Sequence, residues 1–444
     1  LKNTFFILFT DNRQVLRQFI ELSISIFALD KLRGISLIMA VTDKADIYLV
    51  GSKCIGQYGG YESFVQKLLE YHRENKAIQY HVACKENGDG HMVVSKLPGA
   101  SQVKEKRFTY CNADCFLINV PTWLKSAQAI FYDVMALKEC CRHIEKNHIQ
   151  NPVVYIMACR IGPFIKRYVK KIHSLGGKVY LNPDGHEWKR AKWSAPVRRY
   201  WKESERLMVK AADLIICDSV NIERYIQTEY KKYNPVTEYI AYGAEIRSSQ
   251  LSDDNSKYVE WMRKHAISST YFTVVGRCVP ENNFEPIIRE FMNSKTDKDL
   301  VIITTENTRF LQEMENRLHY SKDKRIKFVG TVYDQELLKK IREKSYGYFH
   351  GHSVGGTNPS LLEALGSTKL NLLYNVCFNR EVAQDSALYW ELDKGSLSRL
   401  IDHVTQMAPD EIDEYGRRAK QRIRDAYSWQ FVCDRYADIF LNRA

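Results

Sequence analysis

Residues 346–366 read YGYFHGHSVGGTNPSLLEALG, and they decide the class of fold. YGYFHG is a short aromatic, strand-like run. Gly355, Gly356 and Thr357 then break it, Asn358 is placed as an N-cap, and Pro359 takes the first helical position. A strand that turns through glycines into a capped helix is one βα unit of a parallel sheet. The turn joins bare backbone N–H groups to a helix N-terminus, a combination that suits phosphate. Glu363 follows within about the first two turns of that helix, too far along to cap it, where it can meet a ribose hydroxyl. A plain capped helix with a solvent-facing glutamate would be spelled the same way.

Working outward, the second half of the chain repeats this unit. YFTVVG (271–276), DLVIITT (299–305), RIKFVG (325–330) and KLNLLYN (369–375) read as strands, separated by amphipathic stretches such as FEPIIREFM and DQELLKKIREK. The first half does the same with DIYLVG (46–51), VVYIMA (153–158), KVYLN (178–182) and DLIICD (213–218). Between them, EIRSSQLSDDNSKYVEW (245–261) is rich in Ser and Asp and lacks apolar periodicity. The expected organisation is α/β: two doubly wound, Rossmann-like domains facing across a cleft, at 46–245 and 246–425. A C-terminal helix over 426–444 is expected to pack back toward the first domain. Residues 1–45 are set aside as an N-terminal extension, its first 38 residues preceding Met39 and the first convincing strand.

A chain of 444 residues with 45% hydrophobic and 27% charged residues is globular and long enough for two cores. The formal charge of +12 favours anionic partners, but its cations are interleaved with acids on helical stretches, and no nucleic-acid module is present, so nucleic acid is not expected as a partner. Eleven cysteines without CxxC or zinc-finger spacing indicate a reduced compartment. The apolar runs near the N-terminus are shorter than the roughly 20 residues of a membrane span.

Ligands of open α/β sheets bind beyond the carboxyl ends of the strands. Four such loops stand out, the one quoted first among them. VGSKCIGQYGGYESF (50–64) offers Gly59 and Gly60 to an anion at a helix N-terminus, with Tyr58 and Glu62 beside them; Glu62 is equally readable as a first-turn carboxylate facing the helix dipole. VGRCVPENNF (275–284) places Arg277 after a strand, a fork of donors suited to a diphosphate. YLNPDGHEWKRAKWS (180–194) carries Asp184, His186 and Glu187, able to orient or deprotonate an acceptor hydroxyl, or to make buried structural hydrogen bonds. It runs into APVRRYWKESERLMVK (195–210), basic and aromatic, which suits either an anionic membrane surface or ordinary solvent. No metal-ligand spacing is evident, and metal-independent chemistry is expected.

Taken in order, VGSKCIGQYGGYESF, ACRIGPF (158–164), NPDGHEWKRAKWS (182–194), ADLIICDS (212–219), YIAYGAE (239–245), VPENN (279–283) and GGTNPSLLEALG (355–366) resemble retaining glycosyltransferases of the GT-B fold, family 4 in particular. More narrowly they resemble the bacterial β-1,4-rhamnosyltransferases of capsule and cell-wall polysaccharide synthesis. The resemblance implies dTDP-β-L-rhamnose as donor, no cofactor, a lipid-linked saccharide acceptor, and a cytoplasmic enzyme peripheral to the inner membrane face. It assigns Gly356, Thr357 and Asn358, with Gly355 beside them, to the diphosphate, Glu363 to the ribose and Arg277 to the leaving phosphate. Asp184 and His186 fall on the acceptor side as catalytic candidates, and Tyr58, Glu62 and Glu187 as acceptor-binding ones. Two positions depart from the wider family: Gly355 stands where a first glutamate is common, and Asn282 where a lysine is. Other readings of the same architecture are a transferase using UDP-glucose or UDP-galactose, a sugar-nucleotide epimerase, and a non-catalytic nucleotide-sugar-binding partner subunit.

Overall fold

The computed structural model describes residues 44–442 apart from 58, 191–192, 269 and 306–307. Tyr58 and nearly all of the 1–45 extension therefore lie outside the described residues. The chain forms two compact units, one comprising Leu1–Cys217, Tyr225–Glu238 and Tyr436–Ala444, the other Asp218–Arg224 and Tyr239–Arg435.

The first unit is built on a nine-stranded sheet. In chain order its elements are β1 (Ala45–Val50), α1 (Gly60–Tyr71), β2 (Ile78–Lys85), β3 (Ser101–Lys104), β4 (Arg107–Tyr110), β5 (Ala113–Ile118), α2 (Gln128–Asn147), β6 (Val153–Met157), α3 (Gly162–Ser174), β7 (Lys178–Asn182), α4 (Ala195–Ala211), β8 (Leu214–Cys217), the second half of α5 (Val220–Glu229) and most of β9 (Thr237–Tyr239), α5 up to Arg224 and Tyr239 of β9 belonging to the second unit. Strand order is β3-β4-β5-β2-β1-β6-β7-β8-β9, parallel from β5 to β8, with the β3–β4 hairpin antiparallel at one edge. β1 and β6 are buried on both faces, as the unbroken apolar runs IYLV and VVYIM require. The order reverses between β1 and β6, so the loops after these two strands flank a topological switch point. Residues of the last turns return here: the Tyr436 hydroxyl meets that of Tyr155 at 2.9 Å, and Phe440 packs edge-on to Tyr80.

β2 was not legible as a strand, because IQYHVACK interrupts its apolar residues with Gln79, His81 and Lys85. Each finds a partner: His81 meets Asp46 of β1 at 2.6 Å, Gln79 donates to the Asn112 carbonyl, and Lys85 donates to the Asp89 carbonyl. Satisfied polar groups are tolerated in a sheet interior.

The second unit holds α6 (Ser256–Lys264), β10 (Tyr271–Val275), α7 (Phe284–Met292), β11 (Asp299–Ile303), α8 (Thr308–Leu318), β12 (Ile326–Gly330), α9 (Gln335–Lys344), β13 (Gly347–His350), α10 (Pro359–Ser367), β14 (Asn371–Tyr374), α11 (Cys377–Ala383), β15 (Leu388–Trp390), α12 (Ser396–Thr405), α13 (Pro409–Ala426) and the first half of α14 (Trp429–Asn442). Its six strands run β12-β11-β10-β13-β14-β15, all parallel. Alternation of side chains splits the core between the two faces. Phe272, Val274 and Phe349 join α7 and α12 on one side, while Tyr271, Tyr348 and Val275 join α6 and α9 on the other. The Ser/Asp-rich stretch is fastened to α9, with Arg247 and Ser249 on Glu336 and Asp253 on Lys340. Here too the strand order reverses once, between β10 and β13. Among the described residues no helix is long and apolar enough to cross a membrane.

Candidate active site

The switch point of the second unit brings together the loop after β10, which carries Arg277, and the loop after β13, which carries the glycines. The two are stitched by backbone. Ser353 N–H donates to the Glu281 carbonyl at 2.9 Å, and the Asn283 side chain donates to the Gly351 carbonyl at 2.7 Å. Asn282 is buried and donates to the Arg277 carbonyl at 2.8 Å, so it braces the loop and presents no charge. Arg277 itself is exposed, and among the described residues its guanidinium makes no ion pair or hydrogen bond.

Beyond β13 the backbone is shaped by two glycines. Gly355 has φ +139°, a conformation that side chains of the L series rarely adopt. At Gly356 a Cβ would fall 2.2 Å from Asp218 Oδ1, so a larger residue fits only if the Asp218 carboxylate shifts. Thr357 is buried, its hydroxyl donating to the Asp218 carbonyl. Asn358 caps α10 as its sequence position suggested, accepting from Ser360 N–H at 2.9 Å. The N–H groups of residues 355–358 donate to no carbonyl among the described residues, which leaves successive donors at the start of a helix.

Glu363, one turn further, accepts from the buried Arg342 at 2.6 Å. Arg342 also reaches Ser360 Oγ at 3.1 Å, and Ser360 Oγ lies 2.9 Å from the Tyr348 hydroxyl, so a polar relay underlies the helix start. His350, fully buried, stacks on His352 with ring centroids 4.3 Å apart. Burial first, then His352 and Arg342, hold its imidazole well below the ordinary histidine pKa. Arg342 and Asp218 carried no signal in the sequence, since each acquires its role from partners remote along the chain.

In the first unit the loop after β1 leads to Gly59, the cap position of α1, and Gly60, its first residue. Space is open beside Gly60, whereas a Cβ at Gly59 would strike the Glu62 carboxylate. Glu62 Oε1 accepts from Lys53 N–H at 3.0 Å, which ties the helix start to the β1 loop. Across the switch point, Arg160 follows β6, bonding the Gly51 carbonyl at 3.0 Å and the fully buried Asp133 at 3.1 Å. Burial raises the Asp133 pKa, Arg160 opposes the rise, and the carboxyl is left at about 6. The sequence reading did not single out Arg160; its signal was a cation at a strand end before the helix start Gly162-Pro163.

The 182–194 loop leaves β7 through left-handed residues, Asp184 at φ 60° and His186 at φ 36°. Asp184 Oδ1 accepts from Gly185 N–H at 2.8 Å and lines a hollow of about 10 Å³ with Glu187, Trp188 and Glu205, space for about one water. His186 packs on Tyr225 with ring centroids 4.3 Å apart. Burial, then Lys189 and Lys202, lower its pKa to about 4, so at neutral pH it is uncharged and weakly basic. Glu187 is engaged by Trp193 Nε1 at 2.9 Å and by Arg190. In α4, Lys202 reaches Glu229 at 2.8 Å and lies over the rings of Trp188, Tyr225 and Tyr230, while Arg198 and Arg199 are exposed. Arg277, Gly355, Gly356, Thr357, Asn358 and Glu363 thus share one end of the second sheet, while Gly59, Gly60, Glu62, Asp184, His186 and Glu187 belong to the first unit. Among the described residues no group of three or more His, Cys, Asp or Glu side chains is placed to hold a metal ion.

Comparison with known proteins sets this geometry in a fold class. A domain of unknown function, DUF1972, matches residues 44–245. No curated protein sequence matches. Among solved structures, sucrose-phosphate synthase from Thermosynechococcus elongatus is similar with a TM-score of 0.67 and 12% identity, covering 90% of this chain and 99% of that one. A trehalose-6-phosphate structure from E. coli bound with UDP-2-fluoro glucose is similar with a TM-score of 0.62 and 10% identity over 89% of this chain and 99% of that one. Anabaena HepE in complex with UDP gives a TM-score of 0.62 and 10% identity over 90% and 100%. These likenesses fix the fold: two Rossmann-like α/β domains of the GT-B class, as the alternation of strands and helices led us to expect.

Proposed function

We propose that the protein is a glycosyltransferase that takes a sugar from a nucleotide diphosphate donor and delivers it to a saccharide acceptor. In its finer form the donor is dTDP-β-L-rhamnose and the acceptor a lipid-linked saccharide, met at the inner face of the membrane during capsule or cell-wall polysaccharide synthesis. The observation that carries the reading is the run of unengaged N–H groups at 355–358, beside the exposed Arg277, at the switch point of an all-parallel sheet. Such a site receives a diphosphate, and the fold's solved examples with UDP and UDP-2-fluoro glucose support the same class of ligand.

On this reading the loop N–H groups and the start of α10 hold the diphosphate, and Arg277 stabilises the charge that grows as the bond from the sugar's anomeric carbon to phosphate breaks. The acceptor oxygen bonds to that carbon from the face the nucleotide leaves, and its proton passes to the departing phosphate oxygen. Configuration is retained. Glu363, oriented by Arg342, accepts from a ribose hydroxyl. His186 is poorly suited to be the base because its pKa lies near 4. Asp184 is the better acceptor-side group.

A panel of dTDP- and UDP-sugars, offered with and without lipid-linked acceptor, tests the proposal, with the product linkage assigned by NMR. Transfer from dTDP-rhamnose, unaffected by a chelator, is the expected result. Transfer from UDP-sugars alone would overturn the finer form, and donor epimerisation without acceptor would overturn transfer itself. Thermal stabilisation by nucleotide with no turnover from any donor would leave a binding subunit in place of an enzyme.

A further inference from the structure

A second cavity lies in the second unit, and none of its lining residues belongs to the β10 or β13 loop. It has a volume of about 470 Å³, well within the range of small-molecule pockets, and all of its lining residues belong to that one unit. Four arginines line it, Arg224, Arg380, Arg422 and Arg435, against a single carboxylate, Glu381. That carboxylate is already committed. It accepts from Ser219 Oγ at 2.7 Å, Val220 N–H at 2.8 Å and Asn221 N–H at 3.1 Å, capping α5.

Two of these cations, Arg422 and Arg380, are by contrast held by neutral groups. Arg422 donates to the carbonyls of Val382 at 3.0 Å and Glu381 at 3.1 Å and lies over the Tyr427 ring. Arg380 lies 4.2 Å from the Tyr389 ring centroid and donates to the Asn375 side chain. Arg224 is exposed on α5, and among the described residues Arg224, Arg380 and Arg422 form no ion pair. Fixing a guanidinium with carbonyls and rings spends its side-chain entropy beforehand and leaves its charge uncompensated, the state in which it best receives an oxyanion. Ile240, Ala241 and Phe431 supply an apolar wall beside these charges.

We infer that this cavity is a binding site for an organic phosphate, the phosphate on the arginines and the uncharged remainder on the apolar wall. The site is separate from the proposed donor loop and does not depend on the transfer reaction. Its ligand is either a soluble phosphate ester or the phosphate headgroup of a membrane lipid.

Cys377 provides a reporter, since it lines the cavity and is exposed. The test compares modification of Cys377 in the full chain by an anionic (sulfonatoethyl) and a cationic (trimethylammonioethyl) methanethiosulfonate of similar size, followed by peptide mass spectrometry. The anionic reagent should react at least about tenfold faster, the gain expected from a focused positive potential. The ratio should fall toward unity in Arg224→Glu/Arg380→Gln, a measurement made on the folded protein as judged by its thermal melt. Inorganic pyrophosphate slowing the modification identifies a soluble phosphate ligand. Slowing by phosphatidylglycerol vesicles, with no effect of phosphatidylcholine vesicles or of pyrophosphate, identifies a lipid headgroup. Equal rates for the two reagents in the wild-type chain, or no protection by either phosphate source, overturns the inference.

Discussion

Arg342, almost fully buried, donates to the half-exposed carboxylate of Glu363 at 2.6 Å, and the same guanidinium reaches Ser360 at the start of the same helix. One cation therefore fixes both the first turn of α10 and the acid that projects from it. Replacing Glu363 with Gln keeps the shape but removes the counter-charge of a buried arginine, and should cost about 1.5–3 kcal/mol in a denaturant melt. If Glu363 binds the ribose, the donor KM should rise as well, beyond what the stability loss explains. Unchanged KM would confine the residue to a structural role.

Arg277 offers the opposite combination. Because its side chain is exposed and bonds nothing among the described residues, Arg277→Ala should leave the thermal melt unaltered. Turnover should nevertheless fall by about a hundredfold or more, the effect of removing one preorganised donor to a developing charge. Single-turnover kinetics on the variant separates that loss from weaker donor binding.

In the first unit, Arg160 and Asp133 form a pair whose acid is wholly buried. Arg160→Met strands that acid and should destabilise the fold by about 3–5 kcal/mol. Adding Asp133→Leu should recover much of the loss, because the interior then holds no charge to solvate. A double variant no more stable than the single one would show that the pair is held for reasons other than mutual neutralisation.

Acid should weaken the fold through its histidines. Burial is the main cause that lowers His143 and His186 to about 4, and in an unfolded chain both sit near the ordinary value of about 6.5. Between those limits these rings bind protons in the unfolded chain that they refuse in the folded one, so their contribution is complete above about pH 6.5 and declines as the pH drops toward 4, offset in part by Asp133, whose carboxyl at about 6 takes up a proton in the folded chain. Denaturant midpoints measured across this range should show the decline, and it should be shallower in His143→Gln. A profile of the same slope in His143→Gln as in the wild-type chain would contradict the burial of that ring.

Much of the architecture was legible because parallel strands buried on both faces must be written as continuous apolar runs, as in DIYLVG and VVYIMA. The 355–358 turn was legible for a related reason, since Gly, Asn and Pro each have few places in a backbone to stand. β2 was hidden by polar residues, two of which, His81 and Gln79, have partners, Asp46 and the Asn112 carbonyl, some 30 or more positions away along the chain. The Arg160–Asp133 and Arg342–Glu363 pairs were invisible for the same reason. His186 shows a different limit: its residue type suggests a base, but packing against Tyr225 and the nearness of two lysines set its proton affinity.

The backbone at Gly355 bears on how such a protein could be re-engineered. Nothing lies within 4 Å of where its Cβ would be, so volume is no obstacle to installing a glutamate there. Handedness is the obstacle, because φ +139° belongs to a region that glycine alone occupies at little cost. A carboxylate grafted at this position would have to bring a rotated peptide with it, and that rotation would disturb the N–H groups that follow. Placing a side chain at this position is therefore a problem of whole-loop transplantation, beyond the reach of a point mutation.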